Sequence, residues 1–206
     1  MLTIHTFARG ARGLRVMWLC EEMGLPYQVV VVPAPADETY RALNPLGSVP
    51  FLTDDNGVAI NESVAMLLYI AQRQGPTPLL PANDDPLLAR VLQMAVYSEA
   101  SLGGLNPLIE TLFTAPEQDK RNFTVLAIER RLEGALAYLE QLLGAGPFLC
   151  GERFTVADIA ISTSLGMWRG ALGKSLSEPL AAYQGRLAER PAQIRARDKQ
   201  KRLTAA

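Results

Sequence analysis

The sequence predicts an α/β domain followed by an all-α domain. Strand-like and helix-like patterns alternate up to about residue 75, a proline-rich segment without periodicity follows, and every later pattern has helical spacing. The 206 residues suffice for one or two hydrophobic cores. We therefore place an α/β domain at residues 1–75, a linker at 76–85 and an all-helical domain at 86–206.

Composition excludes several classes of function. Hydrophobic residues make up 49% of the chain and charged residues 20%, values typical of a soluble globular protein. A net charge of −1 does not indicate nucleic acid or a membrane surface as a partner. We expect neither a membrane helix nor a signal peptide, because no apolar run is long enough and the N-terminus alternates like a strand. Two cysteines are too few for a disulfide framework, which favours a cytoplasmic location.

The first elements follow from local patterns. An alternating strand at residues 2–7 is joined by a glycine-rich loop to a helix at 14–23. Gly24 is expected to end this helix, because glycine readily adopts the left-handed conformation found there. A continuous β-branched run at 27–32 predicts a buried strand. A short helix or turn is expected at 37–43.

A proline-bearing strand comes next. Asn44-Pro45 and Gly47 predict a turn, and the apolar run from Val49 to Leu52 follows it. Proline cannot donate to a strand ladder, so Pro50 is expected at a strand start or edge. The backbone of the preceding residue would then be available to pair with something extended.

A hairpin and a helix start complete the first half. Asp54 to Gly57 predicts a tight turn into a second strand, residues 58–60. Glu62-Ser63 falls where an apolar helical run begins, and backbone N–H groups at a helix start attract carboxylates. The predicted order is β-α-β-α-β-β-α, which is thioredoxin-like. A strand-like edge beside a carboxylate-binding helix end suits a small peptide.

The second half shows only helical patterns. A long helix is predicted from Pro86 to about Phe113, with a bend near Gly103-Gly104, and a second helix at 116–143. The basic segment from Arg195 to Arg202 is expected to be a solvated tail.

A capping box is predicted at the start of a later helix. Thr155 is a good N-cap, and Asp158 stands three residues on, where its carboxylate can accept from the N–H of Thr155. Phe154 and Ile159 are placed to pack against each other around this cap.

These motifs carry a resemblance to a known family. The pattern N-P-x-G-x-V-P followed by E-S, found here between Asn44 and Ser63, resembles the glutathione-binding segment of the cytosolic glutathione S-transferases, bacterial type. The segment from Phe154 to Ile159 resembles the helix-start motif of that family's helical domain. The resemblance spans nearly the whole chain. It implies the glutathione transferase fold, with glutathione as co-substrate.

The resemblance also implies a set of glutathione-binding residues. Pro50 would be cis, and Val49 would pair with the cysteinyl backbone of glutathione. Glu62 and Ser63 would hold its γ-glutamyl group. Ser48 stands where the family often has lysine, which removes one cation near the glycine carboxylate.

The group that activates the thiol is less evident. The family uses Tyr, Ser or Cys in the loop before the first helix, but Thr6 stands at the Tyr position. Ala11 and Gly13 stand where a bacterial S-R-S-x-R pattern has serines. Arg12, Arg9 and the N–H groups of the helix start remain as charges that favour a thiolate. Thr6 is the remaining hydroxyl.

Other reactive side chains receive structural roles. Cys20 lies on the apolar face of the first helix and is expected in the core, and His5 is expected to be structural. No His, Cys or Asp cluster has the spacing of metal ligands, so no metal is expected.

The leading hypothesis is a transferase that conjugates glutathione thiolate to small apolar electrophiles or reduces peroxides. The alternative is a non-catalytic member of the fold that binds ligands or proteins, because function depends on the site and not on the fold. A homodimer is implied by the resemblance. The electrophile pocket is expected between the halves, although the same residues would also suit a plain core: Met94, Tyr97, Leu105, Phe113 and Trp168.

Overall fold

A computed structural model describes residues 1–205 and shows two compact units. One contains Met1–Leu80 together with the C-terminal segment from Leu187, and the other contains Pro81–Arg186. An α/β half followed by a helical half is confirmed. The domain boundaries drawn from the sequence stay a prediction, and their last residue, 206, lies outside the described part.

The first unit is built on a four-stranded sheet. The order β-α-β-α-β-β-α is confirmed, with these bounds: β1 Leu2–Thr6, α1 Ala11–Met23, β2 Tyr27–Val31, α2 Glu38–Leu43, β3 Phe51–Asp54, β4 Ala59–Ile60 and α3 Ser63–Arg73. The strand order in the sheet is β2-β1-β3-β4; β1 and β2 are parallel, and the other neighbours are antiparallel.

The strand β2 corrects one expectation. It lies at the edge of the sheet, and Val30 and Val31 are each 42% exposed. The prediction of a buried strand was therefore wrong. A β-branched run fits an edge strand as well as a central one, because its intrinsic preference is for extended backbone.

Helix α1 supplies much of the core of this unit. Val16, Leu19 and Cys20 are fully buried, which confirms the core role of Cys20, and burial raises the pKa of its thiol to about 12. His5 is buried beside the rings of Tyr40 and Phe51, and burial lowers the pKa of its imidazole. Both residues have the structural surroundings expected from the sequence.

The second unit is helical. The long helix predicted from Pro86 is interrupted at the expected glycines, and the next predicted helix begins later than expected, because Asn122 caps it by accepting from the N–H of Val125 at 3.0 Å. The helices from Leu87 onwards are α4 Leu87–Ala100, α5 Leu105–Thr114, α6 Phe123–Leu143, α7 Val156–Gly170, α8 Glu178–Ala188 and α9 Pro191–Ala205.

The predicted capping box is present at the start of α7. Asp158 Oδ2 accepts from the N–H of Thr155 at 2.8 Å, while Oδ1 accepts from the N–H of Leu149 at 2.9 Å and from the hydroxyl of Tyr183 at 2.8 Å. Burial raises the pKa of this carboxyl, and the hydrogen bonds oppose that shift. One carboxylate therefore joins three segments of the second unit.

The C-terminal segment is not a solvated tail. It forms α9, which packs against α1 within the first unit. Arg190 donates two hydrogen bonds to the carboxylate of Glu22, at 2.6 and 2.8 Å, and Arg195 donates to Glu21 at 2.9 Å. The expectation was wrong because α9 packs against α1, and Arg195 has its acidic partner 174 positions away.

Within residues 1–205, no helix has the length and hydropathy needed to cross a membrane. The same residues include no group of three or more His, Cys, Asp or Glu side chains placed to hold a metal ion.

Candidate active site

A pair of asparagines connects the two segments that resemble a glutathione site. Asn44 is 1% exposed; its Nδ2 donates to the carbonyl of Ser48 at 2.8 Å and to Oδ1 of Asn61 at 3.1 Å. Asn61 Nδ2 donates back to Asn44 Oδ1 at 3.2 Å, and the Ser48 hydroxyl donates to Asn61 Oδ1 at 3.2 Å. The Tyr40 hydroxyl also donates to the Ser48 carbonyl, at 2.6 Å. These contacts hold the turn before β3 against the residues that precede α3.

The peptide bond between Val49 and Pro50 is cis, as predicted. The ladder between β3 and β1 reaches Phe51 and stops there, so Val49 lies beyond its end. The Val49 side chain packs against a small core cluster that contains Tyr40 and Phe51. Packing thus fixes the side chain, while the Val49 backbone lies outside the ladder, where an extended ligand could pair with it.

Glu62 has an unusual backbone conformation. It is the N-cap of α3, with φ 65° and ψ 105°. Among residues 1–205 it is the one non-glycine residue with a positive φ. Such a conformation costs about 1–3 kcal/mol and occurs most often at functional sites. Its side chain is exposed and makes no capping bond to α3, so the carboxylate can face a ligand.

Ser63 begins α3 and contacts a buried arginine. Nη1 of Arg15 donates to Oγ of Ser63 at 2.9 Å, and the two residues are only 1% and 3% exposed. A guanidinium keeps its charge at any working pH, and it binds carboxylates well. Together with the N–H groups at the start of α3, this pair can bind a carboxylate.

Sequence reasoning assigned no role to Arg15. The available signal was a charged residue directly before a run of apolar residues, Val16 to Cys20. Charged residues are rarely fully buried without a specific partner.

Thr6 lies beneath the glycine-rich loop. It is fully buried, and its hydroxyl donates to the carbonyl of Phe7 at 3.3 Å. A side chain at Gly13 would place its Cβ 2.7 Å from the Cβ of Thr6 and still closer to the Thr6 hydroxyl, and one at Gly10 would also overlap that hydroxyl. Close approach of α1 to β1 therefore accounts for glycine at the position where the bacterial pattern has serine. The role of Thr6 in thiol activation stays a prediction.

The two candidate arginines lie close together in the chain but differ in burial. Arg9 is exposed in the loop, whereas Arg12 is half-buried in the first turn of α1. Gly10 caps this helix without a side-chain hydrogen bond, and the first turn has no acidic residue. The N-terminus of α1 thus presents the positive end of its dipole, with Arg12 in its first turn.

The five candidates for the electrophile pocket all lie in the second unit. Met94, Leu105 and Trp168 are buried within it, as core residues would be. Tyr97 is half-buried, and Phe113 is 70% exposed. The five side chains therefore differ in burial and do not share one environment. Their role in binding an electrophile stays a prediction.

Comparisons with known proteins identify the family. The N-terminal domain of glutathione S-transferases matches residues 12–73, and the C-terminal domain matches residues 99–191. Glutathione S-transferase GstA of Escherichia coli O157:H7 is 32% identical over 157 residues, which cover 75% of this chain and 74% of that protein. The chain belongs to the glutathione S-transferase family.

Solved structures agree with this membership. A glutathione transferase from Methylococcus capsulatus str. Bath superposes with a TM-score of 0.83 at 28% identity, over 97% of this chain and 98% of that one. BphK, a bacterial GST solved as a ternary complex, gives 0.84 at 26% identity, over 96% and 98%. The glutathione transferase fold is therefore confirmed.

The glutathione S-transferase match covers most of the candidate site. Residues 12–73 include Arg12 and the stretch from Ser48 to Ser63, whereas Thr6 and Arg9 precede them. The segment that the Asn44–Asn61 contacts hold together thus lies within the residues that match the family.

The backbone of Glu62 gives a first test. We expect Glu62→Gly to be more stable than Glu62→Ala by about 1 kcal/mol, because glycine adopts a positive φ without steric cost. Both variants lose the same carboxylate, so their difference reports the relief of backbone strain less the greater unfolded-state entropy of glycine. Thermal unfolding should show a midpoint about 2–4 °C higher for the glycine variant. Equal midpoints would mean that the strain at Glu62 does not exceed this entropy cost.

Proposed function

We propose that this protein is a glutathione transferase that conjugates glutathione to small apolar electrophiles, or uses the same thiolate to reduce peroxides. The observation that carries the proposal is the amide pair of Asn44 and Asn61. It holds the strand-like backbone at Val49 beside the carboxylate-binding start of α3. Family membership supports the same activity.

Each polar part of glutathione has a matching group in this proposal. The backbone of Val49 pairs with the cysteinyl residue. Ser63 and the N–H groups of α3 bind the γ-glutamyl carboxylate, with Arg15 behind Ser63 as a buried positive charge, while Glu62 accepts from the γ-glutamyl ammonium. Ser48 lies near the glycine carboxylate and offers no charge to it. Binding therefore depends chiefly on the γ-glutamyl end.

Retention on immobilised glutathione, followed by turnover of a chloro-nitroaromatic, tests the proposal. We expect the double variant Glu62→Ala/Ser63→Ala to lose binding without unfolding, because charge-assisted hydrogen bonds contribute about 1.5–3 kcal/mol each. Calorimetry would then show at least about a hundredfold loss of affinity.

A matched control exists at another helix start. Ser177 and Glu178 are exposed and adjacent at the beginning of α8, so Ser177→Ala/Glu178→Ala removes the same two side-chain types. It should leave glutathione affinity unchanged. Equal affinities in the two double variants would refute the proposed site. Binding of glutathione without turnover would instead select the non-catalytic alternative.

We further propose that Arg12 and the N–H groups at the start of α1 stabilise the thiolate. A thiolate is the nucleophile in conjugation, and a free thiol has a pKa near about 8.5. An opposite charge within about 4–6 Å lowers such a pKa by roughly 1–3 units. The sulfur then attacks the electrophilic carbon, and the leaving group departs with its electron pair.

Arg12→Ala tests this assignment. The variant should raise the pKa of the bound thiol, so the thiolate form is lost at neutral pH and recovered at higher pH. The rate profile should move toward higher pH, with little change in glutathione affinity because the groups at Val49, Glu62 and Ser63 remain. Initial rates between pH 6 and pH 10 would measure the shift.

Two further variants separate the competing candidates. Arg9→Ala removes the exposed loop charge and should leave the profile in place. Thr6→Val keeps the shape of a buried side chain but removes its hydroxyl. If Thr6→Val moves the profile and Arg12→Ala does not, a hydroxyl activates the thiol and the assignment to Arg12 is wrong.

We also propose a homodimer that uses the exposed face of α4. Leu92 and Val96 on this helix are 39% and 55% exposed, and Tyr138 on α6 is 45% exposed. Sedimentation at micromolar concentration should give about twice the chain mass of 22.4 kDa. The double variant Leu92→Asp/Val96→Asp should sediment with the mass of a single chain. A wild-type protein that sediments as a monomer would contradict the proposal.

A further inference from the structure

Helix α9, together with the residue before it, contacts α1 near both of its ends. Near the C-terminus of α1, Arg190 and Arg195 pair with Glu22 and Glu21. Near its N-terminus, Nε2 of Gln200 donates to the carbonyl of Gly10 at 2.8 Å.

Further contacts hold α9 in place within the first unit. Ala192 and Ala196 are buried, and their small side chains let the helices approach closely. The ammonium group of Lys199 lies 3.6 Å from the ring centroid of Tyr27, just beyond the C-terminus of α1. The position of Gln200 is therefore set by several contacts and not by its own hydrogen bond alone.

The carbonyl that Gln200 contacts belongs to the residue that caps the N-terminus of α1. Gly10 is the N-cap of α1, and within the helix its carbonyl accepts only a long hydrogen bond, from the N–H of Leu14 at 3.4 Å. The N–H of Gly10 donates to Phe7 at 2.9 Å. The turn thus holds the N–H of Gly10. The carbonyl of Gly10 is held more closely by Gln200, at 2.8 Å, than by the N–H of Leu14, at 3.4 Å.

We propose that Gln200 is a positioning residue for the transferase reaction: by holding the Gly10 carbonyl it orients the N–H groups of the first turn of α1 toward the bound thiolate. This inference rests on the proposed function. A dipole-based stabilisation depends on the direction of those N–H groups, because no loop side chain caps the helix. Gln200 acts through the backbone of Gly10 and does not touch the substrate.

Two substitutions at Gln200 separate hydrogen bonding from packing. Gln200→Met keeps the side-chain length but removes the donor, and Gln200→Arg keeps a donor. We expect Gln200→Met to lower kcat by about three- to tenfold, the factor that corresponds to one ordinary hydrogen bond, with little change in KM for glutathione. Gln200→Arg should restore kcat.

The matched control is Gln193→Met. Gln193 is a buried glutamine of the same helix, so its substitution tests α9 packing in general. It should leave kcat at the wild-type value. An unchanged kcat in Gln200→Met, or an equal loss in Gln193→Met, would overturn the assignment.

A measurement without substrate distinguishes this inference from the proposed function. Amide hydrogen exchange of Leu14, whose N–H donates to the Gly10 carbonyl, should be faster in free Gln200→Met, again by about three- to tenfold, and unchanged in Gln193→Met. If the wild-type protein neither binds glutathione nor turns over an electrophile, the proposed function fails. The exchange rates then decide alone whether Gln200 orders the start of α1, and equal rates in the two variants would refute it.

Discussion

The candidate site depends on the reciprocal amide contact between Asn44 and Asn61. Asn44 is buried, and a buried amide left without partners would cost several kcal/mol, so its bonds to Ser48 and Asn61 constrain both segments at once. Each segment carries half of the proposed glutathione contacts. Without this pair, the backbone at Val49 and the strained residue Glu62 would lie on two turns with no shared polar anchor. The Asn44–Asn61 contacts thus fix the turn that carries Val49 and the segment that carries Glu62 relative to each other.

Much of the fold could be predicted because its signals are local. The turn before Val49-Pro50 and the capping box at Thr155 and Asp158 each depend on residues a few positions apart, and the structure has both as predicted. The order of strands and helices also follows from local periodicity. The environment of a strand does not, since β2 has the composition of a buried strand and lies at the sheet edge. Its exposure is decided by strand order, which no single segment encodes.

The parts of the site that escaped prediction are contacts between distant residues. Arg15 meets Ser63 across 48 positions, and Gln200 meets Gly10 across 190. The basic composition of α9 indicated a solvated segment, because composition alone does not reveal acidic partners on α1. The ion pairs in this region support the packing of the C-terminal segment on α1. Arg190 pairs with Glu22 and both side chains are only partly exposed, so this pair stabilises the contact more than a fully exposed pair would.

Thr6 and Gly13 explain why the loop lacks one of the two serines of the bacterial pattern. The Thr6 side chain occupies the space that a side chain at Gly13 would need, so a serine there could not be accommodated while threonine remains beneath it. The hydroxyl that this region does contain is buried and already donates to a backbone carbonyl. What remains at the loop surface is backbone N–H groups and arginine, whose effect depends on direction and distance and not on proton transfer. Such a site makes the orientation of α1, and every contact that maintains it, part of the proposed chemistry.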